Sequence, residues 1–357
     1  DYMPPNYEEA RDTDPVDFLA SGVFAAHFVN TVSPTFITEV VEGRHAFVEE
    51  NLRRELGHKV ETGCASGILN APDPSFDPTK DDALTYHYGP GDHVKGKQAN
   101  KRFLQEALGL TKDNRAPLFF WPSRLDTVQK ASPPPAAILY KVISRYWKEK
   151  LEIVFVAGGE YQQCFKEIVR FHKFSDRMAV CDFDEKLSRL AYGAADFVLM
   201  PSLFEPCVKC KTKNHNSKRK PVAHDTGGIH DTVEHLDMER QTGNGFLFET
   251  FDANGLSWAI DQAMRFYKKT KKIKEQQIKR IMKQSIETFN HGATARQYID
   301  LYEKMLERPL INSDLSAGEA KEPVKSQQKV NHIPMTAPGV DKREEIGVVE
   351  MDRLGFA

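Results

Sequence analysis

The sequence is poor in cysteine, has no long apolar run and carries almost no net charge. Its five cysteines, Cys64, Cys164, Cys181, Cys207 and Cys210, are an odd and sparse set for 357 residues. That usage excludes a secreted disulfide framework and points to a reducing cytoplasm. No apolar stretch is long enough to span a bilayer, and the N-terminus lacks the basic and then apolar layout of a signal peptide, so no membrane partner is expected. Forty-nine basic residues stand against fifty-one acidic ones, a formal net charge of -2. No global field therefore recruits nucleic acid or anionic lipid, and any polyanion site must be local. The sequence has no internal repeat. It does have 40% hydrophobic and 10% aromatic residues, enough for a sizeable core, and a length that suggests about two domains. The chain begins at Asp1 rather than Met, which gives the expectation that it starts partway through a longer protein.

From about Pro117 onward, short apolar runs alternate with amphipathic segments. The runs 117–121, 152–159, 178–183, 196–202, 221–225 and 245–249 read as buried strands, each ending near Gly, Pro, Ser or Asp. Between them, "AAILYKVISRYWKEK" sets Ile138, Leu139, Val142, Ile143 and Tyr146 on one helical face, and "EKLSRLAYGA" does the same with Leu187, Leu190 and Ala191. Strand and helix in alternation predict an α/β fold built on a Rossmann-like, doubly wound parallel sheet. Such sheets bind ligands beyond the carboxyl ends of their strands. The functional candidates are therefore Ser123 and Arg124, Gly158 to Glu160, Ser202 to Glu205, and Asp225 to Gly228.

Before Pro117 the pattern changes. A helix, one short strand (Phe28 to Val32) and a second helix opened by the N-cap Ser33 and by Pro34 are expected. One strand cannot make a sheet, so this stretch needs partners outside the chain or must pack on the later domain. From Asn312 the sequence is polar with scattered Pro and Gly and reads as a disordered tail. The expected organisation is an incomplete N-terminal portion (1–80), a connecting helical segment (81–115), a C-terminal ligand-binding domain (116–311) and the tail (312–357).

Each candidate has a chemistry. Arg124 and Lys130, in the loop after the first strand of the main sheet, are cations suited to a diphosphate. "DTGGIHDTV" puts Thr226, Gly227 and Gly228 at a helix start, where exposed amides accept phosphate oxygens. Glu205 in "PSLFEP" ends a strand, from which a carboxylate faces a sugar hydroxyl. Taken singly, these are also the marks of solvated cations, a glycine turn and a surface Glu.

The stretch Val208 to Lys220, "VKCKTKNHNSKRK", has six Lys or Arg, no acidic residue and almost nothing apolar. It cannot bury a helix face, so it is expected to be exposed or poorly ordered. Cys207, Cys210 and His215 have the spacing of three zinc-knuckle ligands, but Lys220 stands where a fourth would be, and three ligands do not close a structural site; no metal is expected. The basic run suits nucleic-acid phosphates or a localisation signal, yet no aromatic interleaves it for base stacking, so nucleic acid is not the expected partner.

The motifs "NTVSPTF", "GILNAPDP", "KGKQANKRFLQEALGL", "SRLDTVQK", "AADFVLMPSLFEPC", "DTGGIHDTV" and "TGNGFLFETFDANGLSWAIDQAM" occur in this order between Phe18 and Leu306. Together they resemble the glycogen and starch synthase family, retaining glucosyltransferases of the two-domain GT-B architecture. The resemblance implies the C-terminal nucleotide-sugar domain with the end of the N-terminal domain attached. It implies transfer of glucose from ADP-glucose to the non-reducing end of an α-1,4-glucan, in the cytoplasm, with no cofactor beyond the nucleotide-sugar substrate. Arg124 and Lys130 resemble the family's diphosphate grip, Glu205 its "FEPCG" acid on the glucose, and Cys207 the cysteine of the same motif. Phe183 stands where an aromatic often lies against the base, and Thr226, Gly227 and Gly228 match the "TGG" loop. The departures count too. The family's N-terminal "KxGGL" loop is not in the chain, and a missing N-terminal catalytic domain is implied as partner. The Arg-to-Lys spacing is one residue longer than the common form. "KASPPP" delays the following helix to about Pro135, and Val208 replaces the glycine after "EPC". The chain by itself is thus expected to be impaired. The alternative is a non-catalytic protein that binds nucleotide or a polyanion through residues 208–220.

Overall fold

Leu118 and Phe120 turn to one face of the first central strand while Phe119 and Trp121 turn to the other, and all four are essentially inaccessible. A strand apolar on both faces must be covered on both, and this requirement shapes the fold. In the computed structural model the described residues are 17–125, 135–146, 148–206 and 220–310. They lie within one unit, Asp1–Leu310; a second, Ile311–Ala357, falls outside them, as do the expected disordered tail, Lys130, Cys207 and the basic residues Lys209 to Arg219.

The main sheet has six parallel strands: β3 (Leu118–Trp121), β4 (Glu152–Val156), β5 (Met178–Cys181), β6 (Phe197–Met200), β7 (Lys220–His224) and β8 (Phe246–Phe248). Their spatial order is β5-β4-β3-β6-β7-β8. The chain winds outward from β3 to β5, crosses back, and winds outward again from β6 to β8. The reversal falls between β3 and β6, which pair through Phe119 with Phe197 and Phe120 with Val198. All six expected strands form; five are trimmed by one to three residues where the chain turns into loops, and the one expected at 221–225 is shifted back by one residue to Lys220–His224.

Phe119, Trp121, Ile153, Phe155, Leu199, Val222 and Phe248 form one core with Ile138, Leu139, Val142, Ile143 and Tyr146, the expected face of the helix α5 (Pro135–Ile143) and its 3-10 extension. That helix starts at Pro135, as the proline run requires. α6 (Gln162–Phe171) and α9 (Ala253–Tyr267) complete this layer through Phe165 and through Leu256, Ala259 and Ala263. On the opposite face Leu118, Phe120, Val154, Val156 and Met200 pack with Leu104 of α4 (His93–Ala107), Leu190 and Ala191 of α7 (Glu185–Ala194), and Ile229 of α8 (Gly227–Thr232). Each buried Val, Leu, Ile, Phe or Met among these contributes about 1.5–3 kcal/mol by leaving water. α10 (Lys271–Thr288) and α11 (His291–Leu306) follow in the chain.

Buried charge lies at the amino ends of the strands. Lys101 Nζ donates to Asp196 Oδ2 at 2.8 Å and to the Ala116 carbonyl, while Asp196 also accepts from the Leu118 amide at 3.0 Å. The Lys101 cation and these hydrogen bonds hold the Asp196 carboxyl below its ordinary range although burial opposes them.

Two expectations are corrected. β1 (Val29–Thr31) is not alone: it pairs in parallel with β2 (Ala65–Gly67), so a two-stranded sheet forms within the chain. The segment "ASG" has neither apolar alternation nor a β-branched residue, and so gives no sign of a strand. Lys220, read as part of an exposed basic run, is buried as the first residue of β7, where Lys220 pairs with Phe197. Its ammonium lies 4.8 Å from the Phe266 ring centre and 5.3 Å from that of Phe197. β7 must start there to pair along the whole of β6, and the register carries the lysine into the core.

Of the N-terminal helices, α2 (Pro34–Val41) and α3 (Glu50–Glu61) pack on the small sheet, and α1 (Phe18–Ala25) packs on α3. α2 begins as expected, with Ser33 accepting from the Phe36 amide and Pro34 in the first turn. It packs against α8 and so joins the N-terminal residues to the main sheet.

Candidate functional site

A doubly wound sheet offers its crevice at the carboxyl ends of the strands where the winding reverses. Here that point lies between the loops after β3 and β6, which carry Arg124 and Glu205. The β3 loop is fixed by its backbone. The Leu125 amide donates to the Gly158 carbonyl at 3.0 Å, the Tyr161 amide donates to the Leu125 carbonyl at 2.9 Å, and Trp121 Nε1 donates to the Ser123 carbonyl at 2.8 Å. The segment Gly158–Glu160 is thereby bound to the loop of Arg124, whose side chain is exposed. One strand further out, Phe183 follows β5 and is 68% exposed, a ring set at the sheet edge rather than in the core.

Glu205 follows β6, partly buried, with Ser202 Oγ donating to its carboxylate at 3.2 Å. Its backbone carbonyl accepts from the Gly228 amide at 2.8 Å, so the acid and the Thr-Gly-Gly turn after β7 are held together. The turn is too tight for a side chain. Gly227 has φ of +45°, and a Cβ there would stand 2.4 Å from the Glu205 carbonyl oxygen. His224, at the end of β7, contacts the Ser202 carbonyl at 2.9 Å and the Glu249 carbonyl at 3.2 Å, so it ties the β6 and β8 ends to its own strand. Burial lowers its pKa despite these two acceptors, and the neutral ring donates to only one of them.

The N-terminal portion reaches into this arrangement. Asp231 of "TGGIHDTV" takes hydrogen bonds from the hydroxyls of Ser33 and Thr35, the latter at 2.6 Å, and so caps α2 from outside. One and a half turns later Glu39, 4% exposed, accepts from the Gly227 amide at 3.0 Å, from Thr226 Oγ1 at 3.1 Å and from His45 Nε2 at 3.0 Å. Burial raises the pKa of this carboxyl, but the hydrogen bonds from His45, Gly227 and Thr226 outweigh it and keep the pKa below the ordinary glutamate value. The ring of Phe204, the residue before Glu205, lies 5.8 Å from that of His45 and 4.4 Å from that of Phe47.

The structure thus sets Arg124, Phe183, Glu205, Thr226, Gly227 and Gly228 along the carboxyl edge of one sheet, and it joins Glu205 directly to the glycine turn; the expectation of exposed amides there is corrected, because Gly227 and Gly228 are buried and donate to Glu39 and to the Glu205 carbonyl. Lys130 and Cys207 lie outside the described residues. Glu39, His45 and Asp231 are absent from the sequence-based set of candidates. A signal was present for Glu39: it stands three residues after Phe36, an acid on the same helical face as an aromatic ring. Among the described residues, no group of three or more His, Cys, Asp or Glu could hold a metal ion, and no helix is long and apolar enough to cross a membrane.

Comparison with protein-family models finds no match. Among curated proteins, the chain is 30% identical over 305 residues to the glycogen synthase of Bacillus subtilis (strain 168), covering 84% of this chain and 60% of that one. It is 33% identical over 295 residues to that of Bacillus licheniformis, covering 81% and 57%. The chain thus spans about three-fifths of the length of these relatives. Among solved structures, the catalytic domain of starch synthase IV from Arabidopsis thaliana, bound to ADP and acarbose, superimposes with a TM-score of 0.70 at 28% identity over 81% of this chain and 58% of that one. Anabaena HepE in complex with UDP and glucose shares the fold at 16% identity and a TM-score of 0.54, over 78% and 64%. With its motifs in family order, its winding reversed between the arginine and glutamate loops, and these relatives in sequence and fold, the chain belongs to the glycogen and starch synthase family of GT-B glycosyltransferases.

Proposed function

We propose that this chain is the nucleotide-sugar half of a retaining glucosyltransferase that moves glucose from ADP-glucose to the non-reducing 4-hydroxyl of an α-1,4-glucan. The observation that carries this reading is the 2.8 Å hydrogen bond from the Gly228 amide to the Glu205 carbonyl, which couples the acid read as the sugar contact to the glycine turn read as the border of the diphosphate. The names of the sequence relatives, and the ADP bound to the starch synthase, support the same substrate class.

In this reading Arg124 and Lys130 face the diphosphate. As the bond from the anomeric carbon to phosphate oxygen lengthens, negative charge gathers on the leaving phosphate and the sugar becomes oxocarbenium-like. Fixed cations at the phosphate therefore bind the transition state more strongly than the ground state. The carboxylate of Glu205 orients the glucose and faces the developing positive charge, with no covalent bond to the sugar. Thr226, Gly227 and Gly228 border the diphosphate, Cys207 adjoins it after Glu205, and Phe183 stacks on the base. Charge compensation on the leaving group falls to the arginine and lysine, so the reading calls on no metal ion. The domain reading proposed with it takes 1–80 as the end of the N-terminal domain, 81–115 as the connection and 116–311 as the donor-binding domain. Because half of the cleft belongs to a further N-terminal domain, glucan transfer by the chain alone is expected to be weak. The cytoplasm is the compartment in which this donor would be met.

Calorimetric titration with ADP-glucose, ADP and UDP tests the reading, with Arg124→Ala as the control. Saturable binding that prefers ADP over UDP and falls about tenfold or more in the variant, the loss of one charge-assisted contact, is expected. A folded chain that takes up none of the three would refute it.

A further inference from the structure

We infer that Glu39 and His45 are positioning residues for Glu205, so that the N-terminal segment of this chain sets the sugar end of the donor site; the inference rests on the glucosyl-donor reading above. Four observations converge on it. Glu39 binds both the hydroxyl of Thr226 and the amide of Gly227, and the next amide, Gly228, holds the Glu205 carbonyl. His45 donates to the opposite oxygen of Glu39 at 3.0 Å while its ring contacts Phe204. The rings of Phe36 and Phe47 lie 5.3 and 5.4 Å from that of His45, so the imidazole is packed by both. Asp231, in the helix that starts from the same turn, anchors the start of α2 through Ser33 and Thr35 and thereby fixes where Glu39 must lie.

The two supports of Glu205, Phe204 before it and the glycine turn under its carbonyl, are therefore both held from one segment, Glu39 to His45, that is remote in sequence. A carboxylate buried to this degree is costly unless fully hydrogen-bonded. Glu39 meets that condition only while the glycine turn and the His45 loop are both in place. The turn borders the diphosphate, but the Gly227 amide is taken by Glu39 and the Gly228 amide by the Glu205 carbonyl, so neither is left for phosphate and loss of the network acts on recognition of the glucose moiety. Arg124, on the far side of the reversal, lies outside this network and continues to bind the nucleotide diphosphate.

The test is calorimetric titration of the whole chain with ADP-glucose and with ADP, for wild type, Glu39→Ala, Glu39→Gln and His45→Phe, with folding of each checked by urea denaturation. In Glu39→Ala the affinity advantage of ADP-glucose over ADP is expected to shrink about tenfold, the worth of a hydrogen bond or two, while ADP binding alone stays within about threefold. Glu39→Gln keeps an acceptor for Gly227 and restores most of the advantage. His45→Phe keeps the ring packing but removes the donor, and it reproduces the loss even if Glu39→Ala fails to fold. Equal weakening of ADP and ADP-glucose, or no change in a folded variant, would overturn the positioning role while leaving the donor reading standing. Absence of binding by the wild type would overturn both.

Discussion

Lys220 is a cation in the wrong place for stability, and replacing it by Met should make the protein more stable. The side chain is 3% exposed, and burial drives its pKa from 10.5 down to about 8, with Asp196 opposing the shift and Lys274 adding to it. At neutral pH the lysine is still charged, and the fall from 10.5 to about 8 corresponds to a penalty of about 3 kcal/mol. The Phe266 and Phe197 rings return about 1–2 kcal/mol through their faces, contacts that the variant loses as well. A net gain of about 1–2 kcal/mol at pH 7 is therefore expected for Lys220→Met, whose flexible thioether fills the same space. The pH dependence is sharper. Between about pH 8 and 10.5 the unfolded lysine keeps its proton while the folded one has released it, so the unfolded chain binds more protons and wild-type stability rises with pH across that window. Urea denaturation of wild type and Lys220→Met at pH 7 and pH 10 measures both effects, and the difference between the two proteins isolates the lysine from other titrating groups. The reasoning fails if the variant is less stable at pH 7, or if the stability difference is the same at both pH values.

Three further perturbations follow from the same geometry. Lys101→Met leaves Asp196 without its cation beneath the sheet and should cost about 3–5 kcal/mol, read as a lowered urea midpoint. Burial raises the Glu152 pKa to about 7 although Gln105 and Lys101 work against it, so the folded protein holds a proton between pH 4.5 and 7 that the unfolded chain has lost. The stability this carboxyl contributes is full below pH 4.5 and disappears as pH rises through 7, and Glu152→Gln should flatten that part of the stability profile. Gly227→Ala forces a Cβ against the Glu205 carbonyl at positive φ, and should cost about 1–3 kcal/mol in urea denaturation and weaken ADP-glucose binding.

Much of the main sheet was legible because its strands are short, apolar on both faces and separated by helices with a clear buried stripe. Ile138, Leu139, Val142 and Ile143 mark such a stripe, and all four are buried where the spacing sets them. Ser33 and Pro34 announce the start of α2 by cap chemistry alone. What stayed illegible depends on pairing rather than on local pattern. Residues 65–67 become a strand only because Val29 to Thr31 lie beside them. Lys220 is buried by register with β6, which no basic run discloses. The site divides in the same way. Glu205 and the glycine turn stand at strand ends and could be named from sequence. Glu39 and Asp231 become part of the site only when α2 docks on α8, a contact between residues nearly two hundred positions apart. A carboxylate that serves a distant turn looks, in sequence, like any polar residue on a helix.

The central claim is that the crevice at the reversal of the sheet holds a nucleoside diphosphate glucose. A crystal structure of the chain with ADP-glucose tests it most directly. The account predicts the diphosphate beside Arg124 and the turn at Thr226 to Gly228, with the glucose against Glu205. Nucleotide bound elsewhere, or held by the basic residues 208–219 with the crevice empty, would contradict it.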